Sequence, residues 1–148
     1  PAALQAFLDW VIFAALIGNA DAHGKNLGLL RAPGGRLQMA PWYDLVPTIA
    51  WPARILDRTP ALSIGGAPGI DRVDRVHWDQ FAREARLRPM FVRQRAQTLA
   101  AAAIDALPRA IERIVMGGGD AVRLTNAQRV LMANLVRTLA AVGMGSSH

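Results

Sequence analysis

The run Gly18-Asn19-Ala20-Asp21-Ala22-His23-Gly24-Lys25-Asn26 gathers an acid, an imidazole, an ammonium and an amide between Asp21 and Asn26, and Lys25 is the only lysine in the chain. Apolar sequence lies on both sides of it. Ala2 to Ile17 is apolar apart from Gln5 and Asp9. Leu4, Phe7, Leu8, Val11, Ile12, Ala15 and Leu16 keep the spacing of one helix face, and Ala6, Trp10, Phe13 and Ala14 cover much of the other. This pattern predicts a helix buried over most of its circumference and stopped at Gly18. The stretch falls short of the roughly 20 apolar residues that span a bilayer. No basic segment precedes it, as a secretory signal requires.

Downstream, Leu27 to Arg31 and Arg36 to Ala40 flank Ala32-Pro33-Gly34-Gly35, which predicts a β-hairpin over 27–40. Pro41-Trp42-Tyr43-Asp44-Leu45-Val46-Pro47 then forms a proline-bracketed turn presenting one acid. A polar loop held between a buried helix and a hairpin is where reactive groups are best positioned.

Asp21 and Asn26 stand in the relation D-x-x-x-x-N, the interval of a kinase catalytic loop, in which the aspartate takes the substrate hydroxyl proton and the asparagine holds magnesium. Asp44 supplies a second acid after the hairpin. Phosphoryl transfer needs hard oxygen ligands for Mg²⁺, and Asn26 and Asp44 offer a carbonyl and a carboxylate. Asp21 can orient an incoming hydroxyl, and Lys25 can offset charge on the moving phosphoryl group. The same residues also have a plain structural reading. Asp, Asn and Gly favour turns, His23 can be satisfied by a backbone carbonyl, and Asp44 can cap a helix over Leu45 to Ala50.

Residues 48–75 are expected to be loop-rich because Gly65, Gly66, Pro68 and Gly69 interrupt any long element, with one short strand over Ala61 to Ile64. Beyond them the periodicity is helical. Val76 to Leu87 is amphipathic, and Pro89 opens a long alanine-rich helix that Pro108 is expected to break or kink. Gly117-Gly118-Gly119 ends that helix, and the capping-box pattern Thr125-Asn126-Ala127-Gln128 is expected to open a last one running to about Val142. The expected fold is mainly α with a small β-hairpin. It forms one domain over 1–143, comprising the loop 18–26, the hairpin 27–40, the turn 41–47 and a helical remainder over 76–142. Met144 to His148 reads as a tag-like tail. The start at Pro1 suggests a trimmed initiator or a piece of a longer protein.

The chain has 148 residues, of which 52% are hydrophobic and 19% charged, so a disordered or low-complexity protein is excluded. There is no cysteine, which removes disulfide scaffolds, thiolate metal sites and cysteine nucleophiles. The formal net charge of +6 comes almost wholly from arginine, spread between Arg31 and Arg137 with acids interspersed. Such a distribution reads as a solvated surface rather than a nucleic-acid tail.

The two linked segments, Gly18 to Asn26 and Ala40-Pro41-Trp42-Tyr43-Asp44-Leu45, resemble the catalytic core of the HipA-type serine/threonine kinases, the toxins of bacterial toxin–antitoxin modules. In that family N-x-D-x-H-x-K-N is followed by a short hairpin and A-P-x-Y-D. Ala61-Leu62-Ser63-Ile64-Gly65-Gly66 resembles the family's L-x-K-I-G-G segment, with Ser63 in place of the lysine, and Trp78-Asp79-Gln80-Phe81-Ala82 resembles its W-x-x-F-A helix. The resemblance spans roughly residues 5–90. It implies the helical C-terminal lobe of a protein-kinase-like fold, with Asp21 as catalytic base and Asn26 and Asp44 as Mg²⁺ ligands. His23, Lys25, Asn26, Tyr43 and Asp44 would then form the nucleotide-binding set.

The same resemblance implies ATP and Mg²⁺ as cofactors and a cytoplasmic setting without a membrane. It also implies a DNA-binding antitoxin partner of the HipB type and a protein substrate in the translation machinery. A kinase further needs a phosphate-covering glycine-rich loop and a lysine–glutamate pair, and no segment here supplies them. A missing N-terminal half is therefore expected, on the same or a separate chain, and the isolated chain is expected to be inactive. Excised domain, split protein and degenerate remnant all fit. Trp42, Val46, Ile49 and Trp51 are expected to form an exposed apolar patch where a neighbour is missing. Two alternatives stand beside this reading: a lipid or small-molecule phosphotransferase, and a non-enzymatic module binding nucleic acid or a partner protein.

Overall fold

The computed structural model describes residues 2–143, so the tag-like tail lies outside the described residues. Four helices, α1 (Ala2–Leu16), α2 (Arg75–Glu84), α3 (Pro89–Met116) and α4 (Ala121–Gly143), accompany one largely exposed hairpin, β1 (Leu29–Arg31) and β2 (Leu37–Met39), which touches α1. Short 3₁₀ turns fall at Gly24–Asn26, Thr48–Ala50 and Ile70–Arg72.

Helix α1 is the centre of the core. Its second half is buried apart from the half-buried Phe13, through Trp10, Val11, Ile12, Ala14, Ala15 and Leu16, while Leu4 in its first turns is exposed. Asp9, the one acid in this apolar run, is answered from α3. Arg95 donates from Nε and Nη2 to the two carboxylate oxygens at 2.6 and 2.8 Å. That fork outweighs the desolvation of Arg95 and raises its pKa. Helix α3 approaches through Val92, Ala96 and Ala100, all fully buried at four-residue spacing. Small side chains on this stripe let the helices come close without a cavity.

Helix α2 begins at Asp74, whose carboxylate accepts the His77 N–H at 3.1 Å while the His77 imidazole accepts the Asp74 N–H at 3.2 Å. Trp78, Phe81 and Ala82 are the buried face of this helix, with Trp78 and Phe81 meeting edge to face at 6.1 Å. The W-x-x-F-A pattern is thus a core-facing stripe, worth about 1.5–3 kcal/mol for each large side chain it removes from water.

The hairpin is antiparallel, pairing Leu29 with Met39, Leu30 with Gln38 and Arg31 with Leu37. It lies inside the expected 27–40.

Three expectations need correction. Residues 61–64 form no strand: no second strand lies alongside, and the Ala61 N–H is used on the Ala20 carbonyl at 2.8 Å. Helix α3 is not broken at Pro108 but continues through it to Met116, packed along its length on α4 rather than ended by the proline. Helix α4 begins at Ala121 rather than Thr125, because Asp120 accepts the N–H groups of Val122 and Arg123 at 3.0 and 3.1 Å. Thr125 lies within the helix, its hydroxyl donating to the Ala121 carbonyl at 2.8 Å.

Candidate functional site

The loop after α1 begins with a reversal that only glycine accommodates. Gly18 has φ +68, and a Cβ there would lie 2.4 Å from the Ile49 side chain. Thr48 locks the crossing of the two segments: its hydroxyl donates to the Gly18 carbonyl and accepts the Ala20 N–H, both at 2.8 Å. The Ile49 N–H also donates to the Gly18 carbonyl at 3.0 Å. From α4, the buried Asn134 amide donates to the Ala15 and Leu16 carbonyls at 3.0 and 2.9 Å, satisfying the open end of α1 just before the loop.

On this frame the polar residues form a relay. The Asn26 amide donates to the Asp21 carbonyl at 3.4 Å, and the Asp21 N–H donates to the Asn19 side-chain oxygen at 3.1 Å. The Asn19 amide in turn donates to the Asp44 carbonyl at 3.4 Å. The hairpin thus returns Asp44 to the loop through Asn19, which is itself buried. Asp44 has φ +56, a left-handed backbone uncommon outside glycine and tolerated best by Asn and Asp. No helix runs over Leu45 to Ala50, only the 3₁₀ turn at Thr48–Ala50, so the capping role considered for Asp44 is not the one it has.

Asp21 and Asp44 line one open cleft of about 540 Å³, together with Asn19, Thr48, Asp57 and Thr59. Asn26 is buried and is not among the residues that line this cleft, and its side-chain oxygen has no hydrogen-bond partner among the described residues. The Tyr43 hydroxyl donates to the Lys25 carbonyl at 2.9 Å, tying the acidic turn to the loop, while the Lys25 side chain is exposed. His23 Nε2 is 3.9 Å from Asp21, and its Nδ1 is buried without a partner, so the backbone-satisfied histidine considered above is not what this ring is at Nδ1.

Two contributors were missed. Asp57 lines the cleft with its pKa lowered, first by the Thr59 backbone N–H and then by the Thr59 hydroxyl, both donating to it at 3.0 Å. The Asp-x-Thr spacing of such a turn was legible. Thr48 carried no local signal, since its partners are remote in sequence.

Of the expected apolar patch, Trp42, Val46 and Trp51 are exposed, whereas Ile49 is buried beneath Gly18. The hairpin extends the patch instead, with Leu29, Leu30 and Leu37 about half exposed or more. Gly65, with φ +55, lets the I-G-G turn touch α2, where a Cβ would stand 2.0 Å from the His77 carbonyl oxygen. Ser63 uses its hydroxyl inside that turn, accepting the Gly66 N–H at 3.3 Å.

The donor set suits Mg²⁺, which takes one or two protein oxygens and keeps several waters. Among the described residues no group of three or more His, Cys, Asp or Glu side chains forms a denser metal cage. No described helix is long and apolar enough to cross a membrane.

A mainly helical lobe that presents a D-x-x-x-x-N loop and a second acid across a hairpin belongs to the kinase-like class. The HipA-like C-terminal domain family matches residues 1–110, and the chain belongs to that family. Y4mE of Sinorhizobium fredii, whose name classes it among kinases, is 39% identical over 107 residues, covering 71% of this chain and 24% of the relative. The serine/threonine-protein kinase toxin HipA of Shewanella oneidensis is 53% identical over 45 residues, 30% of this chain and 10% of that protein. Among solved structures, the Shewanella oneidensis toxin–antitoxin complex of HipA, HipB and operator DNA superposes with a TM-score of 0.80 at 26% identity. That match covers 96% of this chain and 33% of the other. The chain thus spans a quarter or less of the length of these two curated relatives.

Proposed function

We propose that this chain is the catalytic lobe of an ATP- and Mg²⁺-dependent serine/threonine protein kinase of the HipA toxin type, transferring the ATP γ-phosphate to a protein hydroxyl. The observation that carries this reading is the relay Asn26–Asp21–Asn19–Asp44, which sets two carboxylates on one open cleft. Asp21 orients the incoming hydroxyl and takes its proton. Asn26 and Asp44 hold the metal, which when bound neutralises phosphate charge. Lys25 lies exposed to meet the phosphates, and Tyr43 fixes the backbone that carries it. His23 keeps one ring nitrogen toward Asp21.

The lobe works with an N-terminal half that covers the nucleotide, and the exposed Leu29, Leu30, Leu37 and Trp42, spread over both faces of the hairpin and the turn after it, are the apolar surface available to that half. A HipB-type antitoxin, a translation-machinery substrate and the cytoplasm complete this reading. The likeness to a HipA–HipB–DNA assembly supports the antitoxin partner.

The test is γ-phosphate transfer by the chain joined to an N-terminal kinase half, with and without Asp21→Asn. Loss of a positioned general base lowers the rate about 10²–10⁴-fold. Transfer by Asp21→Asn at the unmodified rate overturns the reading. Calorimetry on the chain alone adds a second check: weak Mg²⁺–ATP binding is expected, and it is lost in Asp44→Ala.

A further inference from the structure

Residues 48–59 form a strap between the candidate active site and a second open cleft, of about 560 Å³, whose far wall is α4. The strap is shared residue by residue. Thr48 and Asp57 face the first cleft, and their neighbours Ile49 and Arg58 face the second. Three arginines, Arg58, Arg129 and Arg137, line the second cleft against one acid, Asp71.

Their charges are not met by carboxylate hydrogen bonds. Arg58 donates only to the carbonyls of Thr48, Ile49 and Trp51, at 3.1, 3.1 and 2.6 Å, and its Nε is buried without a partner. Arg137 donates to the Val73 carbonyl at 2.6 Å and the Asn134 side-chain oxygen at 2.8 Å. Burial lowers its pKa against the opposing pull of Asp71 and Asp74, so this cation is held at a cost that an added anion would relieve. Arg129 is exposed and has no ion pair among the described residues.

We infer that this cleft reads an acidic residue of the protein substrate, with Arg129 and Arg137 receiving its carboxylate while another part of the same substrate presents its hydroxyl to Asp21 in the first cleft. The inference rests on the kinase reading above. A carboxylate on a peptide suits the site better than a nucleic-acid backbone. The walls include Trp51 and Val130, which pack against a peptide stem, and Asp71 on the lining repels a row of phosphates while accepting a peptide N–H. Asn134 links the two clefts physically, since it holds Arg137 and the end of α1 together.

The test is fluorescence anisotropy on the full chain, with a short fluorescein-labelled peptide of Ser, Gly and Glu and its twin carrying Gln for Glu. The Glu peptide is expected to bind about tenfold more tightly, as a charge-assisted pair implies. Arg129→Glu, an exposed position that folding does not need, removes that preference. Arg113→Glu, the same charge change on the exposed end of α3, leaves it intact. Equal losses in the two variants overturn the inference, because the attraction is then general charge. So does weaker binding of duplex DNA by Arg129→Glu with the Glu peptide unaffected.

Failure of the kinase reading looks different. Arg129-dependent peptide binding then persists, in Asp21→Asn as well, while the joined kinase transfers no phosphate to the bound peptide. Asp21-dependent transfer without preference for the Glu peptide overturns the cleft assignment alone.

Discussion

Residues 18–61 and the outer halves of α3 and α4 are built on different principles. The first region has no regular structure beyond the short hairpin and two 3₁₀ turns, and it is held by single side chains reaching across the chain. Thr48 grips Gly18 and Ala20, Asn19 grips Asp44, and Arg58 gathers three carbonyls of its own strap. The helical arm is held by repetition. Beyond Ala100 no residue of α3 is fully buried, and its charged side chains pair locally, as Arg109 does with Asp105 one turn away. A site made of individual contacts tolerates few changes, whereas an arm made of many weak ones tolerates most. The HipA-like match follows the same division, ending at residue 110 within α3.

The sharpest way to break this contrast is Gly18→Ala. The substitution forces a side chain into left-handed backbone and against Ile49 at 2.4 Å. Strain and overpacking together are expected to cost about 3–4 kcal/mol, read as a lowered denaturant midpoint. If Gly18→Ala is neutral, the loop is not a rigid frame. The matching change in the arm has the opposite sign. Pro108 lies inside α3, where its ring crowds the Ile104 carbonyl and removes one helical hydrogen bond. Pro108→Ala is therefore expected to stabilise the chain, by up to about 3 kcal/mol, visible as a raised melting temperature.

Asn134→Leu tests whether the arm is a mere appendage. The variant strips the Ala15 and Leu16 carbonyls of their buried donor and Arg137 of an acceptor, with an expected cost of about 2 kcal/mol. Because those carbonyls end α1 at the loop, hydrogen exchange at Gly18 to Asp21 should rise in the variant. Unchanged exchange there would separate α4 from the site and restore the simple division.

These positions also mark what could be read in advance. Helix α1, the hairpin and the buried stripe of α2 follow from periodicity, because each element announces its own face within a turn or two. The polar loop and Asp44 were legible because the chemistry needs those residue types at those intervals. Thr48 and Asn134 were not, since each acquires its role from groups 28 to 119 residues away. Ala61 to Ile64 looked like a strand because pattern alone cannot supply the neighbour that a strand requires. Thr125 looked like a cap because a threonine hydroxyl satisfies a helix interior as well as a helix start. Pro108 was overruled by the packing of α3 on α4, a tertiary effect that no local propensity contains.

The smallest expected effect concerns the join between the two regions, at the start of α2. Asp74 accepts the His77 N–H as the cap of that helix, and Asp74→Ala is expected to cost about 1 kcal/mol at neutral pH. Its carboxyl pKa lies below the ordinary 3.8. Partial burial pushes the value up, and the His77 backbone N–H, helped by the His77 side chain and the Val76 N–H, more than offsets it. A carboxylate with a depressed folded pKa contributes stability that is complete above its unfolded value and is lost as pH falls through the folded one. The gap between Asp74→Ala and the unaltered chain should therefore persist down to about pH 4 and close below it. A gap that persists undiminished into strong acid would mean that Asp74 acts through the shape of its turn rather than its charge. The junction would then belong with the packed arm rather than with the contact-built site.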